Sequence, residues 1–129
     1  MSSNPLDSYQ EIEKATLSGR DLEAHALNKA AGVLQELRNN WLGDDLDERV
    51  EAAVRYNQRL WTLFQSELME PTNPLGADIK SNLLTLSLFV DKRTFEILAF
   101  PAPEKLDILI SINRNIAAGL STGPAIDAR

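Results

Sequence analysis

The chain has no cysteine and one histidine, His25. These two absences remove disulfides, thiolate metal sites and cysteine nucleophiles, and leave any common metal set to carboxylates. His25 falls on a polar helix face with no acidic residue at relay spacing, so a surface position is expected. With six glycines scattered along the sequence, there is no Gly-rich phosphate loop, and no nucleophile motif appears. No apolar run approaches the roughly 20 residues of a membrane span. The opening "MSSNPLDSYQE" lacks the basic and apolar regions of a secretory signal. The expectation is a cytoplasmic chain with no membrane insertion, no cofactor and no enzymatic activity.

What is present is ordinary globular composition: 129 residues, 43% hydrophobic and 25% charged. A chain of this length buries about two-thirds of its unfolded surface around one core. The net charge of −6 is uneven, because residues 1–70 hold 13 acids and 7 bases whereas 71–129 hold 6 of each. Binding through phosphate contacts rewards dense basic surfaces, and no basic cluster exceeds Lys92-Arg93. No direct nucleic-acid contact is expected.

Punctuation and periodicity predict an all-α fold, a compact bundle of about five helices with a long fourth helix. The first segment begins at Asn4-Pro5, a cap followed by proline at N1, and ends near Leu17; its weak apolar face of Leu6, Tyr9, Ile12 and Leu17 is expected to dock rather than form the centre. The second opens at Ser18 with Asp21 at capping-box spacing, places Leu22, Ala26, Ala30, Val33, Leu34, Leu37 and Trp41 on one side, and stops at Gly43. The third runs from Asp45, with Glu48 at box spacing, to about Glu70. The fourth starts at Asn73-Pro74 and continues about 25 residues to Phe100, before Pro101 and Pro103. The fifth starts around Pro103 to Lys105 and carries Leu106, Leu109, Ile110, Asn113, Ile116, Ala117 and Leu120. Residues 1–120 read as one helical domain, and 121–129 as a flexible tail.

At about 100° per residue, Asn57 lies at the centre of the third segment's apolar face, among Leu46, Val50, Ala53, Leu60, Trp61, Phe64 and Leu68. Asn113 lies at the centre of the fifth's. Burying an unpaired amide costs about 1–3 kcal/mol, so each requires a partner. Either they form a core polar tie, with each other or with another core group, or they face a binding partner. The fourth segment raises a second question, because Ile79, Leu83, Leu86, Val90 and Ile97 form one stripe while Leu84, Leu88 and Phe95 form another roughly opposite. A helix apolar all round is normally buried, which would make it the central helix. Alternatively one stripe lines a groove for a partner's amphipathic helix, extended by Tyr56 and Leu63 on the third segment; the candidate contact residues are then Tyr56, Leu63, Leu84, Leu88 and Phe95.

Three long strings, "NPLDSYQEIEKATLSGRDLEA", "RYNQRLWTLFQSEL" and "KRTFEILAFPAPEKLDILISINRNIAAGL", resemble the FlaF family of flagellar biosynthesis regulators from alphaproteobacteria, in the same order and at similar spacing over about residues 4–120. The resemblance implies a small cytoplasmic protein needed for flagellin production and export. It implies flagellin as a chaperone-like partner, bound through its terminal helical regions, and opposition to the post-transcriptional regulator FlbT. A regulator working mainly through FlbT is the alternative it leaves, and a structural role in the export apparatus a third. It implies no catalysis.

Overall fold

The computed structural model describes residues 19–121, which form four α-helices and one short 3-10 turn with no strand among them. They are α1 (Gly19–Asn39), α2 (Leu46–Leu68), α3 (Ala77–Ala99), the 3-10 turn (Pro103–Leu106) and α4 (Asp107–Ser121). The helix expected over Asn4 to Leu17 lies outside the described residues, as does the tail from 122 onward. Ser121, expected in that tail, is the last residue of α4. The fold is all-α.

Several boundaries differ from the sequence reading, each for a local reason. α1 ends at Asn39 rather than at Gly43, and Gly43 instead supplies a left-handed residue (φ +107°) in the connection to α2. A Cβ there would meet Asp45 Oδ1 at 3.2 Å. Asp45 is the N-cap of α2 but makes no side-chain cap bond; its carboxylate accepts from Arg49 Nε at 3.2 Å. Arg49 also donates to the carbonyls of Asn40 and Leu42, so a single guanidinium ties the connection to the first turn of α2. Asn73-Pro74 does not start a helix. Asn73 Oδ1 accepts from the Leu75 amide and its Nδ2 donates to the Glu67 carbonyl, which makes a loop, and α3 begins three residues after Pro74. The segment expected to be unusually long spans 23 residues, the same as α2.

α1 runs antiparallel to both α2 and α4. α1 makes its most extensive contact with α4, then with α2, and α2 packs against α3. The end of α1 meets the start of α4, where Arg38 Nε donates to Asp107 Oδ1 at 3.0 Å. The buried stripe of α1 is Ala24, Leu27, Ala30, Ala31, Leu34 and Leu37. The wheel drawn from sequence was therefore rotated: Leu22 and Val33 are 41% and 39% exposed. Large apolar residues dominate a periodicity argument, but three of the six buried positions are alanines, on a helix whose most extensive contact is with α4; small side chains let two helices approach closely.

The core joins that stripe to Val50, Ala53, Val54 and Trp61 of α2, Val90 and Ile97 of α3, Leu106 of the turn, and Leu109, Ile110, Ile112 and Leu120 of α4. Each large side chain fully buried contributes about 1.5–3 kcal/mol. α3 is not the central helix: its buried positions are Ser87, Val90, Thr94 and Ile97 alone, and its principal neighbour is α2. A helix packed on one side needs only one inward stripe. The second stripe is therefore free to face outward.

Candidate protein-binding surfaces

On α3 the buried stripe has helical spacing of three and four residues, and its polar members are satisfied locally. Thr94 Oγ1 donates to the Val90 carbonyl at 2.7 Å. Ser87 Oγ donates to the Leu84 carbonyl and accepts from Gln65 Nε2, both at 2.8 Å. Ser87 sets a small hydroxyl against Gln65 of α2, Val90 and Ile97 fill the rest of the inward stripe, and Leu88 and Phe95 stay outside. Leu88 is 66% and Phe95 56% exposed, with Leu84 half-buried beside them. Within about 40° on the wheel, these three form one outward ridge.

The ridge runs into a shallow groove lined by Lys92, Arg93, Phe95, Glu96, Phe100 and Lys105. Phe100, just beyond the helix, is 76% exposed. Lys105 Nζ donates to the Phe100 carbonyl at 2.6 Å and lies over its ring. The Arg93 guanidinium lies over Phe89 at 5.6 Å and pairs with Glu96 at 3.6 Å. The end of this face is thus aromatic with a cationic rim. Phe100 was not among the expected contact residues because it lies off both stripes of the α3 wheel; its position directly before Pro101 was the available signal.

Tyr56 and Leu63 do not extend this ridge. Tyr56 is half-buried in a groove made by α1 and α2, beside Val33, Leu37, Ala52 and Ala53. Gln65 marks the side of α2 that meets α3, and Leu63, two residues earlier, points about 200° away from it. It is 62% exposed on that other side. The structure brings Leu84, Leu88 and Phe95 together and leaves Tyr56 and Leu63 elsewhere.

Asn57 and Asn113 are both fully buried and bonded to each other. Trp61 Nε1 donates to Asn113 Oδ1 at 2.9 Å, and Asn113 Nδ2 donates to Asn57 Oδ1 at 2.7 Å. Trp61 has only a donor to offer, so it fixes which way the Asn113 amide faces, and Asn113 in turn fixes Asn57. The chain of bonds ends at Asn57 Nδ2, a buried donor with no partner. This tie spans α2 and α4 and sets their register.

A second concavity lies at the end of the bundle where α1 starts and α2 and α4 finish. It is a cleft of about 180 Å³ whose apolar lining includes Leu27, Trp61, Phe64, Leu68, Leu83 and Ile116. Glu23 of α1 and Glu67 of α2 also line it, and their carboxyls hydrogen-bond to each other. Burial, that bond and the Glu67 charge push the Glu23 carboxyl up from 4.5 to about 8, against the opposing pull of Arg20. Sequence reasoning missed the pair, since two glutamates far apart on separate polar faces carry no periodic signal.

The shift has a definite sign for stability. Well below pH 4.5 Glu23 is protonated whether the chain is folded or not; between about 4.5 and 8 the unfolded chain ionises first, so stability is progressively lost, and above about 8 the loss is complete. Glu23→Gln keeps a hydrogen-bonding side chain without the titration. The melting temperature of this variant is expected to gain on the parent as pH rises across that window, measured by thermal denaturation at matched ionic strength. A constant difference would rule the linkage out.

Among the described residues, no three His, Asp or Glu side chains come together as a metal-holding group, and no helix is long and apolar enough to cross a membrane. No curated protein and no solved structure matches the chain. A family model described as flagellar protein FlaF matches residues 5–120. That match takes in all but one of the described residues, both central asparagines, and the α3 ridge with its aromatic end. The chain belongs to the FlaF family of flagellar proteins.

Proposed function

We propose that this protein binds flagellin in the cytoplasm and supports its synthesis and export as a chaperone-like regulator, acting by binding rather than by catalysis. The observation that carries the reading is the outward ridge of Leu84, Leu88 and Phe95 on a helix that already has its inward stripe buried. Exposed apolar surface of this kind marks interaction sites. An amphipathic helix laid along such a ridge contributes its own apolar face at intervals of three and four residues.

Flagellin's terminal regions, which form coiled helices only in the filament, are amphipathic segments of that type. Covering them before export keeps them from aggregating or polymerising early. Membership of a flagellar family supports flagellin as the occupant over an unrelated helix. The test is binding of purified protein to intact flagellin and to flagellin lacking its terminal regions, followed by calorimetry. Strong binding to the intact protein and loss with the truncated one is the expected result. Equal binding to both would overturn the reading, and retention of FlbT from cells without flagellin would replace it with regulation through FlbT.

A further inference from the structure

The cleft at the end of the bundle holds a feature that the α3 ridge does not explain. Two carboxyl groups are brought together beside an apolar cavity, one of them half-buried, where both cannot be charged without mutual repulsion. A glutamine at either position would keep the hydrogen bond and remove the repulsion. From the cavity and the facing carboxyls we infer a second binding site, for a partner helix that inserts one large apolar side chain and lays a lysine or arginine across Glu23 and Glu67.

The dimensions and charges both select this occupant. A volume of about 180 Å³ is below the roughly 300 Å³ at which pockets begin to take a small-molecule ligand, and suits a large side chain. Leu27, Phe64, Leu68, Leu83 and Ile116 offer that side chain an apolar wall. The charged residues lining the cleft are Arg20 and Glu23 from α1 and Glu67 from α2; those from α3, α4 and the preceding loop are uncharged. An incoming ammonium or guanidinium takes the place of the proton that Glu23 carries beside Glu67, and that proton passes to solvent. Charge-assisted bonds to a carboxylate pair are about twice as strong as neutral ones.

This inference does not depend on flagellin being the client. The probe is a designed amphipathic helix of leucine and glutamine bearing one lysine a turn from its leucine stripe, compared with the same peptide carrying norleucine instead. Calorimetry in two buffers of different ionisation heat reads affinity and proton release together. The lysine peptide is expected to bind about tenfold more tightly, to release a proton, and to strengthen by up to about tenfold per pH unit as pH rises toward the raised titration of Glu23. Glu23→Gln with Glu67→Gln should abolish the preference and the proton release while leaving the urea midpoint at or above the parent's. Equal affinity for the two peptides without proton release, or no binding of either, would overturn the site. So would lysine-peptide binding that survives the glutamine variants but is lost with Leu88→Asp, a result that would leave the α3 ridge intact as a binding surface.

Discussion

Replacing Asn113 by leucine is expected to lower the unfolding free energy by about 2–6 kcal/mol, because it leaves two buried polar groups without partners at about 1–3 kcal/mol each. These are the Trp61 indole N–H, which now donates to Asn113, and Asn57 Oδ1, which now accepts from it. Against a total stability of about 5–15 kcal/mol, that loss removes a large part of the margin. Asn57→Leu is expected to cost far less, within about 1 kcal/mol, although Asn57 is equally buried. It strands Asn113 Nδ2 but eliminates Asn57 Nδ2, the donor that has no partner in the native fold.

The double variant strands Trp61 alone and also eliminates Asn57 Nδ2, so it should lie close to Asn57→Leu and well above Asn113→Leu in stability. This order, read from urea unfolding midpoints, follows from a directed chain of bonds with Asn113 in the middle. Equal losses at Asn57 and Asn113 would mean that the amides act as an undirected pair.

The second large effect concerns binding. Leu88→Asp combined with Phe95→Asp should weaken flagellin binding by more than about 100-fold, since each large apolar side chain buried in a contact is worth about 1.5–3 kcal/mol. Both side chains are more than half exposed and belong to no core contact, so the urea midpoint should move by no more than surface substitutions usually cause, about 0.5 kcal/mol. Tyr56→Ala and Leu63→Asp are the contrasting pair. Tyr56 lies in the α1/α2 groove and Leu63 points away from α3, so both should leave flagellin affinity nearly unchanged. Calorimetric titration of these three variants separates a ridge on α3 from a broader surface. Loss of binding in Leu63→Asp with retention in the Leu88/Phe95 double variant would move the interface to the opposite side of α2.

How much of this was legible in the sequence varies with the element. The α2 stripe was readable because its apolar residues recur on one face with helical spacing: Val50, Ala53, Trp61 and Leu68, with Asn57 among them, all fall on the inward side. α4 was readable for the same reason. In α1 the periodicity placed Ala30, Leu34 and Leu37 correctly but was rotated toward Leu22 and Val33, which carry more weight in a hydrophobic pattern than the buried Ala24 and Ala31. Asn73-Pro74 misled in another way. The same two residues that open a helix also close a loop when the asparagine side chain bonds back to Glu67 and forward to Leu75.

The sequence by itself determined the helical class, the separation of its segments, and the need for Asn57 and Asn113 to find partners. Those properties depend on local periodicity, capping chemistry and the cost of burying an amide, each of which acts over a few residues. Only the tertiary structure decided that the amides bond to each other through a direction set by Trp61, that α3 lies beside α2 instead of at the centre, and that Glu23 meets Glu67. Each of those depends on which helix faces are opposed, and periodicity marks a face without saying what stands across from it. For α3 this distinction carries the functional reading: two apolar stripes were visible from the start, and packing against α2 determined which one points outward.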